Sequence, residues 1–190
     1  MKAITVVLLS SALGLAGCRR ITAEDYFAKA GEAHRLAQKQ ADTLKTLEHR
    51  LEVFKPALDL YETVVKEYPT SAQAESSSFL IATIRNSETR QPDLAVEAYK
   101  SYIRDFPNGK QVPVAMFMVG FIYNNELAQY DSAGAAYRRF LERFPQHEMA
   151  MAAQQELNNL GRPPDQWLPQ NLATESPKPQ APAKSAKKGK

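Results

Sequence analysis

The residues that most often perform chemistry in proteins are few and widely separated in this chain of 190 residues. Its three histidines, His34, His49 and His147, have no second ligand at metal-binding spacing. The stretch HEMAM at 147–151 begins like a zinc-protease motif, but Met151 stands where the second histidine is needed. The sequence has no Gly-rich phosphate loop and no GxSxG turn. It therefore predicts no enzyme, no metal site and no cofactor.

Two further groups of nucleophilic residues need an explanation. A run of serines occupies 76–78, and serines on a helix without a neighbouring base more often face solvent than act in catalysis. Cys18 is the only cysteine, so the chain cannot form an internal disulfide. We expect the serines to be solvent-facing and Cys18 to have another role.

The first eighteen residues have the pattern of an export signal. Lys2 precedes an apolar run at 3–9, and small residues continue to Gly17. The apolar run is too short to be a transmembrane anchor. Residues 15–18, LAGC, resemble the lipobox of bacterial lipoproteins. The resemblance implies cleavage after residue 17 and acylation of Cys18, with palmitate among the chains, and more than one chain gives stable anchoring. A plain secretory signal is the alternative.

The cellular location expected for the protein is based on the same resemblance. Arg19, rather than an aspartate, follows the cysteine. By similarity to proteobacterial sorting, this residue favours a lipid-anchored protein of the bacterial outer membrane that faces the periplasm. The inner membrane is the less favoured alternative.

Positive charge is concentrated at the two ends of the chain, whose formal net charge is +3. The segment between the ends has more Asp and Glu than Lys and Arg, so nucleic-acid binding is not expected of the folded part. The tail at 163–190 is rich in Pro, Ala and Lys and is predicted to be disordered. Its lysines form either a solvated spacer or a contact with anionic lipid or envelope polymer. They are Lys178, Lys184, Lys187, Lys188 and Lys190.

Three similar segments begin at residues 54, 92 and 130, so the spacing between neighbouring segments is constant. They read FKPALDLYETVVKEYP at 54–69, PDLAVEAYKSYIRDFP at 92–107 and YDSAGAAYRRFLERFP at 130–145. Each has apolar residues at helical spacing, and a proline ends each helix. A further helix is predicted after each segment, at about 72–88, 111–127 and 148–160. Such helix pairs bury their apolar faces only by stacking, so the predicted fold is an all-α solenoid.

The segments resemble the tetratricopeptide repeat (TPR) family, most closely in the third repeat. Met116, Val119, Gly120 and Tyr123 match the first-helix positions of the family motif. Ala133, Tyr137, Phe140 and Pro145 match its second-helix positions. The resemblance implies a helix-turn-helix solenoid with repeats at about 36–71, 72–109 and 110–147 and a C-terminal capping helix at 148–161. The residues expected to pack the repeats together are Ala57, Tyr61, Ala95, Tyr99, Gly120, Tyr123, Ala133 and Tyr137.

The stretch MFMVGFIYNN at 116–125 is apolar on nearly every side. At about 100° per residue, Val119 and Ile122 share one face, and Phe117 and Phe121 lie nearly opposite. In the TPR family the first helices line a concave groove, which implies that the second face binds a protein partner. The alternative is that the rings pack against the N-terminal helix or the capping helix. We call the six residues predicted to bind the partner the groove residues: Phe79, Thr83, Asn86, Phe117, Phe121 and Asn124.

The N-terminal part of the mature chain is also predicted to be helical. A capping pattern at 22–25 starts a helical spacer within the lipidated segment 18–35. The apolar spacing continues in a heptad-like manner to Phe54, with a slip near Gln40. This pattern is compatible with a coiled coil or with packing onto the first repeat. The first helix of that repeat is expected near 36–50.

Together these features predict a membrane-anchored scaffold that binds proteins of the cell envelope. The chain is similar to TPR lipoproteins of outer-membrane protein assembly and to periplasmic TPR proteins associated with the Tol-Pal division system. The alternatives are a division or Tol-Pal adaptor and a structural, oligomerising lipoprotein without an open groove. A binder of a small apolar ligand, enclosed by Phe79, Phe117 and Phe121, is a further alternative.

Overall fold

The computed structural model describes residues 20–41, 43 and 46–162, which form a stack of helices. These helices are α1 (Ala23–Ala41), α2 (Leu47–Glu67), α3 (Ala72–Thr83), α4 (Pro92–Asp105), α5 (Val112–Asn125), α6 (Tyr130–Arg143) and α7 (Ala150–Asn158). A π-helical turn, Ile84–Glu88, extends α3. Each helix packs on the next one in the chain, and this part of the chain has no strand. The predicted all-α solenoid is confirmed.

Several predictions concern residues outside the described ranges. These are the signal peptide at 1–17, the lipidation site Cys18 and the tail at 163–190 with its five lysines. Among the described helices, none combines the length and the apolar character needed to cross a membrane.

The proline that ends each repeat follows an aromatic residue with the same backbone geometry. The φ and ψ angles are −134° and 51° at Tyr68, −126° and 62° at Phe106, and −131° and 54° at Phe144. In each case the aromatic residue donates its N–H to the carbonyl four residues earlier. Three residues further on, another N–H donates to the carbonyl of the aromatic residue, at distances of 2.9 to 3.1 Å. The constant spacing in the sequence therefore corresponds to a repeated turn, with the last helical carbonyl groups satisfied.

A second repeated turn joins the two helices within a repeat. Arg90 and Ala128, which hold the same position in successive repeats, have positive φ angles of 47° and 54°. The next residue closes each turn, because Gln91 N donates to Arg85 O and Gln129 N donates to Tyr123 O, both at 2.8 Å. This is the left-handed helix ending that usually has a glycine. Sequence reasoning missed it because neither repeat has a glycine there.

The predicted first helix near 36–50 is wrong. Helix α1 ends at Ala41, and α2 begins at Leu47 after Thr46, whose side chain accepts a hydrogen bond from His49 N at 3.4 Å. This cap starts a new helix where the heptad-like pattern predicted a continuous one. Helix α1 itself packs along α2, so it takes the place of the first helix of the first repeat.

The last helix has one apolar face and one polar face. Ala153 and Leu157 pack against α6, at positions equivalent to Ala115 and Val119 of α5. The other face is polar, with exposed side chains at the positions that Met116, Phe117 and Gly120 hold in α5. These side chains are Gln154, Gln155 and Asn158. Met151, on the same stripe of α7, is 74% exposed, so this outer face is largely polar and carries one apolar side chain.

Candidate partner-binding surface on the first helices

Helix α5 is packed on two sides, which explains why its sequence is apolar nearly all round. Val119 and Ile122 lie in the large apolar cluster that α1 to α5 build. On another side, the ring of Phe117 lies 5.6 Å from the ring of Tyr137 and 6.1 Å from that of Phe140, both on α6. These edge-on contacts place Phe117 in the smaller cluster that α5, α6 and α7 share.

Phe79 has the equivalent position one repeat earlier. Its ring lies 5.8 Å from that of Tyr99 and 5.5 Å from that of Tyr102 on α4. The expectation that Phe79 and Phe117 face away from the packed side is therefore corrected, since each is half-buried against the second helix of its own repeat. The two rings thus pack on different helices, Phe79 on α4 and Phe117 on α6.

Phe121 differs from the other two phenylalanines among the groove residues. Its side chain is half-buried, but it is packed against neither apolar cluster. It lies one helical turn beyond Phe117 on α5. Of the three phenylalanines among the groove residues, Phe121 is the one that neither cluster of described residues includes.

The polar groove residues have different partners within the chain. Thr83 Oγ1 donates to Phe79 O at 3.1 Å. Asn124 Nδ2 donates to Glu156 Oε2 at 3.3 Å, and Gly161 N donates to Asn124 Oδ1 at the same distance. Asn124 thus holds the C-terminal end of α7, and the burial of Glu156 raises the pKa of its carboxyl group while the bond from Asn124 opposes this rise.

Asn86 is the one polar groove residue with an unsatisfied atom. It lies in the π-helical turn, and its Oδ1 is buried without a hydrogen-bond partner in the described part of the chain. A buried acceptor without a donor is unfavourable. The partner-binding role of all six groove residues stays a prediction.

The residues expected to pack the repeats are mostly buried. Seven of them are almost fully enclosed: Ala57, Tyr61, Ala95, Tyr99, Gly120, Ala133 and Tyr137. Tyr123 is half-buried, and its hydroxyl accepts a hydrogen bond from Lys100 Nζ at 2.8 Å.

The serine run is placed differently from the prediction. Ser76 is exposed, but Ser77 and Ser78 are buried. Ser77 holds the position that Ala115 holds in the next repeat, and Ala115 is also fully buried, so a small side chain is needed where these helices meet. Ser77 Oγ has no hydrogen-bond partner among the described residues, and a serine without a base is not activated for catalysis.

The histidines do not form a site with other ligands. No group of three or more His, Cys, Asp or Glu residues in the described ranges is placed to hold a metal ion. His34 is half-buried between helices α1 and α2, with its ring 5.8 Å from Phe54 and 6.2 Å from Tyr61. Burial lowers the pKa of His34, and the nearby carboxylate of Glu88 partly opposes this.

The fold and its turns define a class of protein, the helix-turn-helix solenoids. Within it, the family model for the tetratricopeptide repeat matches residues 114–147, which cover most of α5 and all of α6. No curated protein matches the chain. Tetratricopeptide repeats generally mediate protein–protein interactions, and proteins that contain them are typically non-enzymatic scaffolds.

Proposed function

We propose that the protein is a lipid-anchored scaffold of the bacterial cell envelope that binds a protein partner through its first helices. The observation that carries the binding role is Phe121, a half-buried ring on a first helix that neither apolar cluster includes. An aromatic ring with a partly exposed face supplies a large contact area at low cost in conformational entropy.

The anchor is proposed from the sequence LAGC at 15–18, with the lipid on Cys18. Helix α1 begins at Ala23, five positions after the proposed lipid. Five extended residues span at most about 18 Å. A lipid on Cys18 would therefore hold the solenoid close to the bilayer surface, and we propose the periplasmic face of the outer membrane.

The proposed process is outer-membrane protein assembly, in which a scaffold near the membrane brings other proteins together. The identity of the partner tests this. A component of the β-barrel insertion machinery is expected, whereas a Tol-Pal or division protein would assign the chain to that system instead.

A crosslinking experiment tests the binding surface. A photoreactive residue replaces Phe121 in the full-length protein, and the control carries it at Glu142, which is exposed on α6. We expect a discrete envelope protein to be captured from membranes by the first variant only. Capture of the same proteins at both positions, or only of the chain's own helices at position 121, would reject the surface.

A separate experiment tests the anchor. Mass spectrometry of the purified mature protein is expected to show an acylated N-terminal Cys18, and Cys18→Ser is expected to release the protein from membranes. A mature N-terminus at another residue, or a Cys18→Ser variant that remains membrane-bound, would contradict the lipid anchor without affecting the crosslinking result.

A further inference from the structure

The second helices form a cleft that none of the six groove residues lines. It lies between α4 and α6, with α5 as its floor, and has a volume of about 320 Å³. The floor is apolar, with Ile103, Met116 and Val119, and the rim carries Lys100, Arg104 and Arg139. No carboxylate of the described residues lines it. We call it the cationic cleft.

The same cleft one repeat earlier has the opposite character. It lies between α2 and α4, measures about 210 Å³ and contains Glu62, Glu97 and Asp105. Glu62 holds there the position that Lys100 holds in the cationic cleft. Its one arginine, Arg85, is paired with Glu62 at 2.8 Å. The repeat architecture thus provides the cleft, while the side chains of the later repeat make it cationic and larger.

Two further exchanges between the repeats have the same effect. Ser101 of the earlier cleft is replaced by Arg139 in the cationic cleft, which adds a positive charge to the rim. Ser78 is replaced by Met116, which makes the floor more apolar. The cationic cleft therefore differs from its predecessor in both the charge and the polarity that a ligand would meet.

The three cations differ in how far they are already neutralised. Lys100 Nζ donates to Tyr123 Oη at 2.8 Å and to Glu97 at 3.2 Å, which fixes its position. Arg104 pairs with its neighbour Asp105 at 2.9 Å. Arg139 is exposed and forms no ion pair in the described part of the chain. The cleft therefore offers an apolar floor beside an unpaired guanidinium group.

From this geometry we infer that the cationic cleft binds an acidic peptide segment of a partner protein, with one large apolar side chain as its anchor. The apolar side chain would occupy the floor at Met116 and Val119. A carboxylate beside it would pair with Arg139, because a guanidinium group binds a carboxylate through two parallel hydrogen bonds. The inference goes beyond the proposed function, since the cleft opens between the second helices α4 and α6 and none of the six groove residues lines it.

The cleft can be tested by peptide selection on the full-length protein. A displayed library of random peptides is selected for binding, and a fluorescently labelled copy of the most enriched peptide is then titrated. The test variant is Arg139→Glu, and the matched control is Arg138→Glu, the same charge change at an exposed neighbour that does not line the cleft. Vesicles of phosphatidylglycerol are titrated in parallel.

We expect the enriched peptides to combine Asp or Glu with Leu, Ile, Phe or Met. Arg139→Glu should weaken binding roughly tenfold, because it places like charges together, whereas Arg138→Glu should change it by less than about twofold. Enriched peptides without acidic residues, or equal loss in both variants, would overturn the inference. Binding of the anionic vesicles that is lost only in Arg139→Glu, without any such peptide, would also overturn it and assign the cleft to lipid.

Discussion

Gly120 and Tyr137 are in direct contact where helices α5 and α6 cross. A Cβ atom on Gly120 would lie 2.8 Å from Cε1 and 2.9 Å from Cδ1 of the Tyr137 ring. The ring is fully buried, so it has no space to move away. The closest approach of the two helices in the third repeat thus depends on the absence of one methyl group.

Gly120→Ala should lower the free energy of unfolding by about 1–2 kcal/mol. Overpacking costs about 1–3 kcal/mol, and the better helix propensity of alanine offsets up to about 1 kcal/mol. Urea unfolding followed by circular dichroism measures the change. Gly134→Ala is the control, because its Cβ would meet the flexible ends of Leu160 and Arg138 at 3.1 and 3.3 Å. A control that loses as much as Gly120→Ala would show that the contact with Tyr137 is not the cause.

Ala128→Gly should stabilise the protein by roughly 0.5–1 kcal/mol. Ala128 has a φ of 54°, a left-handed conformation that costs an L-residue about 1–2 kcal/mol and costs glycine almost nothing. The larger backbone entropy of glycine in the unfolded chain removes part of this gain. The thermal midpoint measures the effect. Ala152→Gly, at an exposed position inside α7, is the matched control and should destabilise the protein instead.

Phe117→Ala and Phe121→Ala should differ in their effect on stability. Phe117 packs on Tyr137 and Phe140, so its truncation should cost about 3 kcal/mol. Phe121 belongs to neither apolar cluster, and its truncation should cost less than about 1 kcal/mol. Chemical denaturation of both variants gives the comparison. Equal losses would show that Phe121 is part of the folded core and is not held for a partner.

The contact between α1 and α2 should weaken as the pH falls below about 6.5, the ordinary pKa of histidine. Burial lowers the pKa of His34, so the unfolded chain binds a proton at a higher pH than the folded one. The stabilisation that neutral His34 provides is complete above the pKa that His34 has in the unfolded chain. It is lost as the pH falls through the lower pKa of His34 in the folded chain.

His34→Phe provides the measurement for this pH dependence. Denaturation midpoints of the wild type and the variant are compared at about pH 7.5 and about pH 5.5. The wild type should lose more stability between these values than the variant does. If the two lose the same amount, the pH dependence arises from groups other than His34.

The constant spacing of the three segments made most of the fold predictable from the sequence. Proline after an aromatic residue located the ends of α2, α4 and α6 to within about two residues. A slip in the heptad-like spacing near Gln40 lies next to the break after Ala41, but no proline or glycine marks the break, and one helix was predicted across it. The left-handed turns at Arg90 and Ala128 were missed for the same reason, since their side chains do not indicate a positive φ.

The candidate surfaces were less predictable than the helices. Helical spacing shows which residues share a face of α5, but it does not show how many faces are covered by neighbours. Phe117 and Phe121 are four residues apart and fall on the same side by this criterion, yet only Phe117 packs on α6. The cationic cleft needs side chains from three helices, which only the folded structure brings together.

The polar outer face of α7 has a consequence for how copies of the protein meet. In a solenoid, an apolar face on the terminal helix allows a helix of another copy to pack there and extend the stack with the same geometry. Gln154, Gln155 and Asn158 occupy that face here, and joining it to another chain would remove water from their amide groups without a partner for each. The desolvation of these three amides disfavours the addition of another copy at α7, whereas the exposed Met151 on the same stripe favours it.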